Sequence, residues 1–461
     1  VSSMKLFLIV SCLFGTIYAQ HAGTNTPESA PQISIEKCSS GGSCQQESSL
    51  ITLDSNWRWT HHVDDYVNCY TGNEWDQQFC PDVATCTAQC ALDGVDQATW
   101  SGTYGIQVSG SELSLKFVTN GPFSKNVGSR VYLLESETKY KMFSLLNQEF
   151  TFDVDSSQLD CGLNGALYFV EMEQDGGLSK YPTNEAGAKF GTGYCDAQCP
   201  HDMKWINGEA NVQDWVPSDN DENAGFGHFG SCCMEMDLWE ANSKSQAYTA
   251  HACDVNEPTR CEGQDCGDND SGDRYNGVCD KDGCDFASYR MGDTSFFGEG
   301  SSFKVDSSKP VTVVTQFITD NGSDNGDLVE IRRKYVQNGQ VIENSKVNFD
   351  GVSDYDSITD DFCTDIKDLF GDVNDHQKKG GLKTMGEALK RGMVLVMSLW
   401  DDHEAFMLWL DSNYPEDGSG PGVERGPCPT SSGRPEDVES NQPEATVKFS
   451  NIRYGDIDST Y

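Results

Sequence analysis

Basic residues are scarce in this chain of 461 residues: 32 Lys and Arg stand against 73 Asp and Glu, a formal charge of -41. So negative a surface repels nucleic-acid phosphates and anionic lipid headgroups, which argues against nucleic acid and membrane as partners. Past the first twenty residues no apolar run approaches the roughly 18 residues that a membrane span requires. Internal repeats are absent, and so is any Pro/Ser/Thr-rich linker, so nothing divides the chain into modules. Helical patterns are few; the best runs from Thr384 to Arg391 and stops at Gly392. Asp-rich loops such as Asp268-Asn269-Asp270 have no convincing ligand spacing, so no metal is expected.

What is present begins with a leader. Met4-Lys5 precedes the apolar run Leu6-Phe7-Leu8-Ile9-Val10 through Leu13-Phe14, and small Ala19 follows Ile17-Tyr18. Residues 1–19 are read as a secretory signal peptide, with cleavage leaving Gln20 at a terminus where it can cyclise. Of 19 cysteines, Cys12 leaves with that segment, and the remaining 18 suit nine disulfides in an oxidising compartment. A four-thiolate zinc site built from Cys195, Cys199, Cys232 and Cys233 is the competing arrangement, disfavoured by export and by the even count. Spacing alone does not say which cysteine meets which.

Residues 20–36 are polar and read as a loose lead-in. From Cys38 onward, turn residues recur every 8–15 positions between alternating runs: Leu113 to Phe117, Phe150 to Val154, Val447 to Ile452. Such runs are half-buried antiparallel strands. Val329 to Ile342 reads as a hairpin, because Asn338-Gly339 accepts the positive φ angles of a tight turn. Val394 to Trp400 reads as a central strand, apolar on both faces. The expected class is all-β, one large sandwich of antiparallel sheets with long loops and few short helices, spanning residues 20–461 as a single domain. Asn269-Asp270-Ser271 and Asn321-Gly322-Ser323 are N-glycosylation sequons.

Glu235-Met236-Asp237-Leu238-Trp239-Glu240 is the most informative stretch. In a regular strand Glu235 and Asp237 share a face, and Glu240, five positions on, points the other way. A one-residue bulge restores its parity and sets three carboxylates along one wall. Crowded carboxylates raise the proton affinity of at least one of their number. A retaining glycosidase needs this pairing: one carboxylate attacks the anomeric carbon, and a second, protonated, serves the leaving oxygen. The plain alternative, an acidic stripe on a solvated strand, leaves Trp239 and the flanking Cys232-Cys233 unexplained.

The segment Ser231-Cys-Cys-Met-Glu-Met-Asp-Leu-Trp-Glu-Ala-Asn-Ser243 resembles the active-site strand of glycoside hydrolase family 7, the cellulose-cleaving cellobiohydrolases and endoglucanases. The resemblance extends through Asn56-Trp-Arg-Trp-Thr60, Cys161 to Tyr168, Gly191 to Pro200, Ser398 to Asp402 and Met407 to Asp411. It covers essentially Cys38 to Gly455 and is strongest to the reducing-end-acting cellobiohydrolase type. It implies a β-jelly-roll whose loops form a substrate tunnel, a monomer, no cofactor, and cellulose or cello-oligosaccharides as partners. Glu235 is then the nucleophile, Glu240 the acid/base, Asp237 the residue orienting the nucleophile, and His251 the histidine beside the acid/base. Trp57, Trp59, Trp400 and Trp409 resemble the sugar-stacking platforms, since indole rings match the C–H faces of glucose. Arg130, Tyr168, Tyr194 and Gln198 resemble polar contacts on the entering side; Arg274, Asp282, Tyr414 and Arg425 resemble the group holding the departing disaccharide.

Long segments at Asn211 to Gly230 and Cys266 to Cys279 resemble those that roof the tunnel, which favours a processive cellobiohydrolase over an endoglucanase. Some departures stand out. Relatives carry tyrosines where this chain has Asp270 and Glu404, so two acids facing each other are expected to loosen the roof. Ala197 stands where some relatives have serine. A bridge common in the family is missing with both partners, since no cysteine of the lead-in precedes Cys38 and Ala91 follows Cys90. No cellulose-binding module is expected after the catalytic domain. A lectin-like sandwich without catalysis is the reading from another class, opposed by the three intact acids. The large charge is expected to bring tolerance of salt, as in a saline or digestive fluid outside the cell.

Overall fold

The computed structural model describes residues 19–122, 124–268 and 272–461. Most of the expected leader, the Asn269 sequon and the expected meeting of Asp270 with Glu404 lie outside the described residues. Twelve strands carry the architecture: β1 Gln32–Ser39, β2 Ser43–Leu53, β3 Ser129–Ser136, β4 Gln148–Asp155, β5 Leu163–Val170, β6 Glu235–Ala241, β7 Gln246–His251, β8 Cys284–Ala287, β9 Val311–Thr319, β10 Leu328–Gln337, β11 Met393–Asp401 and β12 Thr446–Asp456. Two helices of eleven residues, α1 Asp360–Phe370 and α2 Gly381–Arg391, pack beside them.

The front layer is hydrogen-bonded in the order β8-β7-β6-β5-β11-β3-β2. The back layer runs β1-β12-β4-β9-β10. β2 belongs to both layers: Ser43 to Leu50 pairs with β1, and Leu50 to Leu53 pairs with β3, so the strand turns the corner between sheets. The expected antiparallel jelly-roll sandwich is present, with one parallel pair, β1 with β12.

Side-chain alternation explains the two layers. On β5, Leu163, Leu167 and Phe169 face the core between sheets, beside Leu395 and Met397 of β11, Phe150 and Phe152 of β4, and Phe449 of β12. Each such side chain contributes about 1.5–3 kcal/mol on full burial. The opposite face of the same strands carries Ala166, Tyr168 and Val170, with Tyr132 of β3 and Val394 and Val396 of β11 in a second apolar cluster. That second cluster is why β11 is apolar on both faces. Gly165 is required at one crossing, where an added Cβ would lie 2.8 Å from Leu159 and 2.9 Å from Val447.

The Asn338-Gly339 turn has φ of 54° and 73° and joins β10 to Gln340–Glu343, as expected. α2 begins three residues before the predicted helix and ends at Gly392 with φ 103°. α1 was not anticipated; its Thr359 cap accepts from the Phe362 amide, and Asp360 and Asp361 occupy the first turn, where negative charge suits the helix dipole. The lead-in is not loose. Ile33 and Ile35 of β1 are fully buried, and Glu28 pairs with the buried Arg58. Only two apolar alternations among polar neighbours betray that strand.

Nine disulfides join the 18 cysteines downstream of Cys12. Cys195 pairs with Cys233 and Cys199 with Cys232, which removes the thiolate site and clamps the chain just ahead of β6. Cys161–Cys428 spans 267 residues; in the chain-entropy picture a closure that long contributes roughly 5 kcal/mol.

Candidate active site

β6 contains the bulge that the sequence requires. Against β5 the register steps from Leu167↔Trp239 to Tyr168↔Asp237, leaving Leu238 without a partner. Against β7 it steps from Asp237↔Thr249 to Glu240↔Ala247, so Leu238 and Trp239 together oppose Tyr248. Met236, Leu238 and Trp239 all enter the core between sheets, which leaves Glu235, Asp237 and Glu240 on the opposite, concave face. The three neighbours across the ladder on β5 are Val170, Tyr168 and Ala166, residues of that same face.

Hydrogen bonds separate the roles of the two glutamates. The Ala197 amide donates to Glu235 Oε2 at 2.9 Å, and Asp237 hydrogen-bonds Glu235. On Glu240 the donor is Asn164, whose Nδ2 lies 3.2 Å from Oε1; its own carbonyl oxygen accepts from the Ala241 amide at 3.0 Å, which fixes the amide's orientation. His251 Nδ1 donates to the Asp280 carbonyl at 2.8 Å, so Nε2, 3.0 Å from Asp237 Oδ2, carries a proton only in the imidazolium form. The His251–Asp237 contact therefore holds one proton, on one partner or the other.

Burial pushes all three acids up. Glu240 rises to about 7, with His251 and the Asn164 hydrogen bond pulling the other way. Burial, then the charge of Asp237, raises Glu235; burial, then the charge of Glu240, raises Asp237. The three acids titrate as a cluster and not as independent groups. Glu235, Asp237 and His251 also present one ligand atom each within 4.8 Å of one another.

The remaining expected residues fall into two groups about the acids. On one side the Tyr168 and Tyr194 hydroxyls meet at 2.8 Å, and Tyr194 donates to Asp196 Oδ2 at 2.6 Å. Arg130 Nε donates to Asp54 at 2.9 Å while its guanidinium covers the Tyr194 ring at 3.4 Å and the Trp57 ring at 5.2 Å. Trp59, farther out, donates to Asn68 at 2.7 Å. Gln198 reaches across to the Lys281 carbonyl at 2.9 Å. On the other side Arg274 donates twice to Asp282, at 2.8 and 2.6 Å, and Tyr275 donates to the same carboxylate. Arg425 lies over the exposed Tyr414 ring, 5.6 Å away. Trp400 and Trp409 stack with centroids 6.3 Å apart, and Trp409 is held by Asp402 at 2.9 Å.

Sequence reasoning missed Asn164, Asp196, Asp402 and the pair Arg290–Asp285, which adjoins Arg425. Asn164 lies between Cys161 and Tyr168, two residues from Ala166 opposite Glu240, so strand register is the signal that finds it.

The sequence model described as Glycosyl hydrolase family 7 matches residues 22–461. The chain belongs to glycosyl hydrolase family 7. Within the family it is 60% identical over 443 residues to the exoglucanase GH7B of Limnoria quadripunctata, covering 96% of both chains. The crystal structure of a family-7 cellobiohydrolase from Daphnia pulex superposes with a TM-score of 0.95 at 62% identity, over 96% of this chain and all of that one. The cellobiohydrolase from Melanocarpus albomyces, solved with cellotetraose, gives 0.90 at 45% identity, over 96% and 99%.

In this family-7 chain the long segment 211–230 is an arm. Val216–Pro217 pairs with Gly225–Phe226, and Asn73 holds the tip by bonds to the Ser218 and Asp221 carbonyls at 3.0 and 2.9 Å. Asn220 Nδ2 donates to the His403 carbonyl at 2.8 Å, and His403 Nδ1 donates back to the Asn220 carbonyl at 2.8 Å. The arm enters just ahead of β6, and His403 follows β11, two strands away in the front layer, so this contact joins loops rooted on separate strands. Asp402 caps the same loop through the Glu404 and Ala405 amides, both at 2.9 Å.

Proposed function

We propose that this family-7 hydrolase is a secreted, monomeric cellobiohydrolase that cleaves β-1,4-glucosidic bonds of cellulose with retention of configuration. The observation that carries the reading is the bulge at Leu238, which sets Glu235, Asp237 and Glu240 on one face with different hydrogen-bond partners. Glu235 is the nucleophile: the Ala197 amide on Oε2 and the hydrogen bond with Asp237 orient its carboxylate, and the lone pairs left over are available to the anomeric carbon. Asp237, tied to His251, tunes the charge of that nucleophile. Glu240, with its proton retained to about pH 7, protonates the departing glycosidic oxygen as the carbon–oxygen bond breaks and the glycosyl–Glu235 ester forms. The same carboxylate then takes a proton from water, whose oxygen displaces Glu235 and regenerates both groups.

Trp59, Trp57, Arg130, Tyr168, Tyr194 and Gln198 serve the entering chain. Trp400, Trp409, Arg274, Asp282, Tyr414 and Arg425 serve the scissile and departing units. The relatives named exoglucanase and cellobiohydrolase, one of them holding cellotetraose, support this assignment. The arm closed on His403 supports a tunnel and processive release of cellobiose over random cleavage. Residues 1–19 are a leader, and 20–461 act as one catalytic unit. The products of crystalline cellulose test the reading. Cellobiose should dominate the soluble fraction, with activity lost in Glu235→Gln while binding persists. Random-length oligomers with a rapid viscosity drop on carboxymethylcellulose would make the protein an endoglucanase instead.

A further inference from the structure

Arg333 projects from β10, in the back layer, into the core between the sheets and is 2% exposed. The other fully buried arginine, Arg58, donates to both oxygens of Glu28, at 2.6 and 3.1 Å. Arg333 has no carboxylate within ion-pair distance among the described residues, and its Nε and Nη1 find no acceptor there. An uncompensated guanidinium in an apolar core costs free energy, so its retention asks for a reason. Its Nη2 donates to the carbonyl of Leu238, the extra residue of the bulge. Its guanidinium lies over the ring of Tyr248, 4.2 Å from the centroid, and Tyr248 is the β7 residue that faces the bulge from the other side. Tyr335, on the same strand as Arg333, flanks it at 5.9 Å.

A bulge is the place where a ladder leaves a carbonyl free and the strand yields most easily. Here that weak point separates Asp237 from Glu240, and slipping by one residue would turn Glu240 into the core. We infer that Arg333 is a positioning residue for Glu240: from the far side of the sheet it pins the Leu238 carbonyl, with Tyr248 as its backstop, and so keeps the acid/base aimed across the cleft. Arg333 never reaches the cleft, and its influence passes through one backbone carbonyl. Supporting groups behind a catalytic side chain commonly set its orientation in this manner.

The inference rests on Glu240 being the acid/base, and the experiment separates the two ideas by including Glu240→Gln. Aryl β-cellobiosides differ in how much proton donation their leaving groups need: phenoxide needs it, 2,4-dinitrophenoxide does not. For Arg333→Met, kcat/KM should fall ~10–100-fold on the phenyl substrate and less than ~3-fold on the dinitrophenyl one, the signature of lost general-acid aid. Arg333→Lys, which keeps a cationic donor, should restore most of the phenyl activity. Added azide should accelerate Arg333→Met turnover of the dinitrophenyl substrate, because it needs no general base. Should Arg333→Met fail to fold, Arg333→Gln is compared with Arg333→Lys on the same two substrates. An equal loss on both substrates, or none on either, overturns the role of Arg333. If Glu240→Gln shows no leaving-group dependence, the acid/base assignment itself falls.

Discussion

Glu235 and Glu240 are the same molecule in water, and only their neighbours make one a nucleophile and the other an acid. Glu240 is the simpler to test, because burial holds it near 7. Its proton is needed for the first step, so kcat/KM on cello-oligosaccharides should fall as pH rises above 7. Glu240→Gln should erase that limb and lower kcat/KM by ~10²–10⁴-fold. A raised folded pKa also sets the sign for stability. This group's contribution is fully present below its unfolded value, about 4.3, and is lost as pH climbs through 7. Melting curves should therefore show Glu240→Gln gaining on the parent protein as pH rises from 4 to 8, and a constant difference would contradict the shift. The three acids were legible in six consecutive residues, since strand parity plus one bulge decides which side each takes. Asn164 and Arg333 were not, because Asn164 meets β6 only through the register of β5, and Arg333 meets it only across the core from the other sheet.

Among the elements, the arm of residues 211–230 has the clearest functional consequence. Two reciprocal hydrogen bonds of 2.8 Å join Asn220 to His403, each contributing about 0.5–1.5 kcal/mol. His403 also faces Asp401 and Asp221 at 3.8 and 3.9 Å. His403→Ala combined with Asn220→Ala should raise the viscosity drop on carboxymethylcellulose several-fold relative to cellobiose release. Turnover of small soluble cellobiosides should stay within about twofold, since no group that touches the reacting atoms changes. An unchanged ratio would mean the contact does not govern chain entry. Elements with strong local chemistry were readable in advance: the Asn338-Gly339 hairpin, β11 and α2. α1 was hidden by its acids, which look like a solvated loop until Thr359 is seen as a cap. β1 was hidden by its brevity of pattern, Ile33 and Ile35 alone, and its place beside β12 is a tertiary fact.

The whole molecule carries a formal charge of -41, and self-repulsion on that scale opposes the compact state. Raising NaCl to 1 M shortens the Debye length to about 3 Å, so the melting temperature should hold or rise by a few degrees between low and molar salt, with cellulase activity retained. A fall in both would show that the charge is not what limits stability. The sandwich was legible at this scale from the density of alternating runs, whereas the nine pairings of cysteine were not, because spacing does not encode proximity. All of these features serve one arrangement, two glutamates bearing on opposite ends of a single glycosidic bond. The decisive measurement is the anomeric configuration of the cellobiose freed from an aryl β-cellobioside, in which cellobiose is the glycosyl half that carries the new anomeric centre, followed by proton NMR before mutarotation: the β-anomer is expected, and accumulation of the α-anomer would contradict the assignment of Glu235 as nucleophile.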